Sequence, residues 1–326
     1  MLYVSDLQKS YGAKKAVTQL SLHVPSGEVY GLIGQDGAGK STFMRICMGL
    51  EKPDAGEIKL FENDILQRTE IIQETAGYLP ETFGIYENMQ VNEYMEFYGA
   101  LYGLSYPMKK YWMELLELVN LLDKADCLVS TLSRSKKQCL GIARCLIHNP
   151  VLLILDEPFR ELDPIGRAEI IEILHNLKQM GKTILLSSSV LTGLENTCTY
   201  VGIMKKGTLK VEGPIEAVLT RIKDSSPIQI TVLDDPKKAL PLLRTNSNVL
   251  RVSIYENILY IGFKGSKQQE AELLQSLIEE GIPVISYSRI KGNLENLVYE
   301  LTEEMERKRK HYEVKSSLFE RFKIKR

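Results

Sequence analysis

Gly34-Gln35-Asp36-Gly37-Ala38-Gly39-Lys40-Ser41-Thr42 follows the apolar run Val29-Tyr30-Gly31-Leu32-Ile33 and precedes Phe43-Met44-Arg45-Ile46-Cys47-Met48-Gly49-Leu50. The order is strand-like, glycine-rich turn, helix-like. Glycines remove the Cβ atoms that keep a backbone at a distance. The amides of this turn, from Gly34 through Thr42, can therefore surround phosphates at a helix N-terminus. At this spacing Lys40 would neutralise the β- and γ-phosphates and the Ser41 hydroxyl would bind Mg²⁺. A chance match to the pattern in a chain of this size has a probability of about one in a hundred, and the flanking runs lower it further.

Such a turn needs acidic residues on a neighbouring strand. Val151-Leu152-Leu153-Ile154-Leu155-Asp156-Glu157-Pro158 supplies two, directly after an apolar run. Asp156 is the candidate Mg²⁺ ligand and Glu157 the candidate base for an attacking water. Outward from these motifs, further short apolar runs such as Thr183 to Leu186 alternate with helix-length segments, which predicts a covered, mostly parallel sheet. Between about residues 78 and 149 the strand signal fades. Val91 to Tyr102 and Lys109 to Leu122 carry helical periodicity there, so a helical subdomain is expected.

Polar and turn-forming residues interrupt the pattern at Arg221-Ile222-Lys223-Asp224-Ser225-Ser226-Pro227, placing a boundary near 222. Beyond it the reading is strand (Ile228 to Leu233), helix (Pro236 to Arg244), strands (Leu250 to Ile254 and Ile258 to Phe263), helix (Lys267 to Glu280), strand (Val284 to Tyr287) and helix (Leu294 to Glu304). This is a small α+β domain over 223–304, followed by a basic tail over 305–326. From Glu306 to Arg326 nine Lys and Arg face three Glu. If helical, this segment would align Val314, Leu318 and Phe322; it reads either as a solvated tail or as an inner-leaflet contact.

The chain has 326 residues, enough for one large α/β domain and a smaller attachment. Its 44% hydrophobic and 25% charged composition is ordinary for a globular protein, and a formal net charge of −1 gives no global attraction to nucleic acid. Five scattered cysteines without a CxxC pair fit reduced thiols. No apolar run approaches the ~18 residues of a membrane span, and the start lacks a signal-peptide pattern.

With both phosphate-site elements in hand, the chain resembles the ATP-binding domains of ABC transporters, in the bacterial exporter-like branch with a C-terminal α+β domain. The likeness runs over roughly Leu2 to Thr302 and includes SYG, GQDGAGKST, AGYLPE, LSRSKKQ, LLILDEP, ELDP and KTILLSSS in family order. The implied fold is a P-loop NTPase ABC nucleotide-binding domain. The implied role is to bind and slowly hydrolyse Mg-ATP for a separate permease, in the export direction, at the cytoplasmic face of the membrane. The alternative is a catalytically degenerate, nucleotide-gated regulatory subunit.

The resemblance also implies roles. Tyr11 stands at the adenine-stacking position, and Glu81 where many relatives carry the glutamine linking metal and lytic water to the permease. Asp163 corresponds to the aspartate that bridges to the opposing subunit, or serves as a helix cap. ABC domains dimerise head to tail, so a homodimer or a heterodimer with a second ATP-binding subunit is implied, with no nucleic acid. The stretch Ile85 to Tyr102 resembles the surface that receives a permease coupling helix. Two departures stand out. The signature LSGGQ reads Leu132-Ser133-Arg134-Ser135-Lys136, with Arg134 and Lys136 as possible cationic replacements, and Ser189 occupies the usual histidine position. Lost transition-state contacts of this kind cost on the order of 10²-fold or more, so slow or partner-dependent hydrolysis is expected.

Overall fold

β3 (Val29–Ile33) is buried at every position, as a strand covered on both faces must be. The computed structural model describes residues 1–104, 109–191, 193–223 and 228–289. β3 lies inside a six-stranded sheet of order β10-β9-β3-β8-β7-β6, built with β6 (Ala76–Leu79), β7 (Leu152–Leu155), β8 (Thr183–Ser188), β9 (Tyr200–Lys205) and β10 (Thr208–Pro214). Neighbours from β9 to β6 pair in parallel; only the edge strand β10 is antiparallel. The expected covered parallel sheet is present.

A second sheet, β2-β1-β4-β5, joins β1 (Leu2–Tyr11), β2 (Lys14–Val24), β4 (Ala55–Leu60) and β5 (Asn63–Asp64). Its inward residues Leu2, Leu7, Leu20 and Ile58 share a core with Leu32, Ile154 and the helix residues Phe43, Met44 and Ile46. That helix, α1 (Lys40–Cys47), is thereby locked between the sheets, fixing the turn in front of it. α2 (Thr69–Thr75) leads into β6.

The helical stretch holds α3 (Val91–Leu101), α4 (Lys109–Leu118) and α5 (Arg134–Leu146). α3 opens on a capping box between Gln90 and Glu93. Ser133 caps α5 by accepting from the Lys136 amide. α6 (Pro164–Gln179) and the short α7 (Leu194–Thr197) complete this unit, Met1–Ile215.

The second unit begins at Glu216. α8 (Ile215–Lys223) precedes an antiparallel sheet of order β12-β13-β11-β14, from β11 (Ile228–Val232), β12 (Val249–Tyr255), β13 (Ile258–Phe263) and β14 (Val284–Arg289). α9 (Leu240–Thr245) and α10 (Lys267–Glu279) cover one face of it. Strand alternation puts Ile228, Ile230 and Val232 into a core with Leu243, Leu273 and Leu277. The sequence reading of one helix from Pro236 to Arg244 is divided into a 3₁₀ turn, Pro236–Ala239, and α9, where Pro241 stands near a helix start that tolerates its missing N–H. The expected helix Leu294 to Glu304, the tail and most of the linker lie outside the described residues.

β6 and α5 approach so closely that a Cβ on Gly77 would stand 2.4 Å from the Cys145 carbonyl oxygen. Gly77→Ala should therefore cost about 1–3 kcal/mol in urea unfolding. Gly84→Ala, where nothing lies within 4 Å, should shift stability by under about 0.5 kcal/mol. Equal midpoints for the two variants would show that the β6–α5 contact yields freely.

Candidate functional site

Because β3, β8, β7 and β6 run in parallel, the loops leaving their C-terminal ends gather on one edge of the sheet, where ligands of open α/β sheets bind. Those loops carry Gly34 to Gly39, Ser189, Asp156 with Glu157, and Glu81. Gly39, the residue before α1, has φ 106°, and a Cβ there would fall 2.1 Å from the Ala16 carbonyl oxygen. Only glycine fits that turn.

Ser41 Oγ donates to Asp156 Oδ1 at 3.1 Å, and Ser187 Oγ donates to the same oxygen at 2.6 Å. Burial raises the Asp156 pKa above the ordinary aspartate value, opposed by these two hydroxyls, which favour the charged form. The backbone N–H of Glu157 donates to Ser187 Oγ at 2.8 Å.

Glu157 is held from several sides. Its Oε2 accepts from the Ser189 backbone N–H at 2.9 Å and from Ser189 Oγ at 3.0 Å. Its Oε1 lies 3.0 Å from Lys40 Nζ, yet this buried oxygen has no directed hydrogen bond. Charge proximity, not hydrogen-bond geometry, describes that contact. Its φ of 51° is a left-handed conformation that costs a non-glycine residue on the order of 1 kcal/mol. Lys40 Nζ donates to the Gly34 carbonyl at 2.5 Å and to that of Gln35 at 3.3 Å. The Lys40 and Glu157 side chains are 4% and 1% exposed, so two opposite charges stand almost wholly out of water.

Around this centre runs a rim of Tyr11, Lys14, Asp36, Glu81 and Arg160, with Ala38 and Thr42 among the walls of the same pocket. An anionic, metal-bearing ligand fits this donor set. Ser41 Oγ and Asp156 Oδ1 are hard oxygen ligands for Mg²⁺, and the ammonium and glycine-turn amides suit phosphates. The under-bonded Glu157 Oε1 is an acceptor for a water proton.

Residues 17–160 match the ABC transporter family. The chain is 33% identical to the bacitracin transport ATP-binding protein of Bacillus licheniformis, over 92% of this chain and 97% of that protein. It is 35% identical to the Nod factor export ATP-binding protein I of Mesorhizobium japonicum, over 76% of this chain and 73% of that protein. Among solved structures, an ATP-binding cassette of an ABC transporter in its ADP conformation superimposes with a TM-score of 0.62 at 25% identity, covering 68% of this chain and 94% of that one. The chain belongs to the ABC transporter ATP-binding family. It is an ABC transporter ATP-binding subunit with the P-loop NTPase cassette fold, of a family of ATP-hydrolysing enzymes. Among the described residues no helix is long and apolar enough to cross a membrane.

Within the ABC cassette, one chain does not bring all the motifs together. Tyr11 stands on the pocket rim, 44% exposed as a residue, its hydroxyl accepting from Arg45 Nη2 at 3.5 Å. Asp163 caps α6, its Oδ1 accepting from the Gly166 N–H at 2.7 Å. The signature residues Ser133, Arg134 and Ser135 are not among those that line the phosphate pocket. The Ser133 and Ser135 hydroxyls are 3.0 Å apart, and the Ser135 Cβ covers Gly166 at the start of α6. The two signature cations are engaged within their own chain: Arg134 with Glu161, and Lys136 with Glu169 at 2.5 Å.

Sequence reasoning passed over Ser187 and Arg160. A strand period of two puts Ser187 and Ser189 on one side of the chain, so the Ser187-Ser188-Ser189 run held a signal for the first. Arg160, whose amide closes a turn on the Glu157 carbonyl at 3.1 Å, had no motif to announce it.

Removing one partner of a buried ion pair strands the other charge, a loss of about 3–5 kcal/mol. Lys40→Ala should accordingly lower the thermal midpoint measured without nucleotide by about 10 °C. Lys40→Ala combined with Glu157→Gln should recover most of that loss. A double variant as unstable as the single one would show that the pair is not what holds this edge.

Proposed function

We propose that this subunit binds Mg-ATP through Lys40, Ser41, Asp156 and the amides of Gly34 to Thr42, and hydrolyses it slowly, with Glu157 as the base, to drive export through a separate permease. The observation that carries the reading is the position of Glu157: the Lys40 ammonium and Ser189 hold its carboxylate at the pocket that Ser41, bonded to Asp156, also lines. Mg²⁺, held by Ser41 and Asp156, would neutralise charge developing on the phosphates. Lys40 would exchange the Gly34 carbonyl for phosphate oxygens, leaving the Glu157 carboxylate free to accept a proton from water. Tyr11 offers an exposed side chain for the base of the nucleotide, and Glu81 stands on the pocket rim. Export is supported by the exporter-like motif pattern and by the Nod factor export relative.

Glu157→Gln should keep ATP bound and lower turnover by about 10²-fold or more, since it removes the base and spares Asp156. Equal single-turnover rates in the two proteins would assign the base elsewhere.

A second reading, a nucleotide-gated regulatory subunit with negligible turnover, is favoured by one observation. Ser189 satisfies Glu157 where the family's histidine would reach a γ-phosphate, and the signature cations are tied to Glu161 and Glu169. Turnover with the assembled permease separates the two. Ser189→His, with Arg134→Gly and Ser135→Gly to relieve the signature, should raise kcat more than it changes KM, because the gain belongs to the transition state. No rise over the parent in assembled complexes would favour the regulatory reading. Homodimer or heterodimer, each nucleotide would lie between one chain's Walker residues and the partner's signature, so both departures bear on every site this subunit helps to form.

A further inference from the structure

Arg160, like Lys14, is a residue of the pocket rim that neither the motifs nor the mechanism above employs. It follows Glu157 by three residues in a tight turn, and its guanidinium spans the mouth of the phosphate pocket. One arm, Nη1, donates to Glu81 Oε1 at 2.5 Å; the other, Nη2, donates to Asp36 Oδ2 at 3.2 Å. The two carboxylates come from separate loops, one within the glycine-rich turn and one after β6. Glu81 and Asp36 stabilise the charged form, so this group remains a cation at every working pH.

Both carboxylate contacts are solvent-accessible, with Arg160 and Glu81 side chains 36% exposed and Asp36 66% exposed. Exposed pairs of this kind are weak and exchange readily for a better acceptor. The terminal phosphate of a nucleoside triphosphate is such an acceptor. It carries more charge than a carboxylate and offers paired oxygens that match the guanidinium fork. A diphosphate, whose charge ends nearer the glycine turn, would leave Arg160 on its carboxylates.

Resting on the nucleotide-site reading above, we propose that Arg160 is the γ-phosphate ligand of this subunit: it leaves Asp36 and Glu81 when a triphosphate binds and supplies the cation that Ser189 cannot. The same exchange frees Glu81. Occupancy by triphosphate is thereby distinguished from diphosphate at Glu81, on the pocket rim. Arg134 and Lys136 do not fill this role within the chain, since neither lines the phosphate pocket.

The test is calorimetric titration of the full chain with Mg-ATP and with Mg-ADP, on the parent, Arg160→Gln, Arg160→Lys and Asp36→Asn. Arg160→Gln should weaken Mg-ATP by about 10-fold and Mg-ADP by less than about 2-fold, with Arg160→Lys restoring part of the ATP preference. Asp36→Asn, which removes a competing carboxylate and leaves the guanidinium in place, should tighten Mg-ATP relative to Mg-ADP, and it remains informative if Arg160→Gln folds poorly. Equal losses for the two nucleotides in Arg160→Gln, or an unchanged ratio in Asp36→Asn, overturn the proposal while leaving the nucleotide site standing. A parent chain that binds neither nucleotide overturns both.

Discussion

The contact between Lys40 and Glu157 constrains everything around it. Two ionised groups that have almost left water can coexist only beside each other, and their backbones belong to different strands: Lys40 follows β3 and Glu157 follows β7. The sheet must hold those strand ends in fixed register, with β8 between them pairing to both. α1 must then be clamped so that its first residue cannot retreat, which the shared core of Phe43, Met44 and Ile46 does. The left-handed backbone of Glu157 belongs to the same constraint, since it turns the carboxylate back over the edge and away from its own strand.

Charge on this edge is arranged in two rings. The inner one, Lys40, Asp156 and Glu157, is buried, and hydroxyls bond its carboxylates, Ser41 and Ser187 on Asp156 and Ser189 on Glu157 Oε2. The outer one, Asp36, Glu81 and Arg160, is wet and weakly held. Family members with a histidine at the Ser189 position carry a donor in the inner ring that can reach a phosphate. Here that donor is a short hydroxyl already bonded to Glu157, so any cation of this chain beyond Lys40 would have to come from the outer ring.

The parallel sheet, the helical stretch and the α+β unit were legible because each rests on local signals: buried runs of β-branched and leucine residues, periodicity of 3.6, and a cluster of turn formers before residue 228. Lys40, Ser41, Asp156 and Glu157 were legible for another reason, since phosphate chemistry tolerates few residue types at that spacing. The pairings of Arg134 with Glu161 and Lys136 with Glu169 were not. They depend on how the starts of α5 and α6 meet, a tertiary contact with no sequence period. The same holds for the split near Pro236–Ala239, where a 3₁₀ turn and a helix share one apolar pattern, and for Arg160, whose partners come from residues 124 and 79 positions away.

The loop after β6 ties the outer ring to the helical stretch. Glu81 holds Arg160, and two residues on, Phe83 lies against Arg144 of α5, guanidinium to ring at 5.0 Å. Gly141 of α5 is equally close: a Cβ there would meet both Leu79 and Phe83 at 2.7 Å, so helix and loop interlock without slack. α5 begins at the signature, and Arg144 also faces Tyr98 of α3, at 5.1 Å. The ring two residues from Glu81 is thus packed onto the helix that carries the signature. The surface formed by α3 and its exposed Tyr86, Leu101 and Tyr102 lies at the other end of the same contacts. The loop of Glu81 and the helix α3 thus both pack onto one shared element, α5, through Arg144 and the close approach at Gly141.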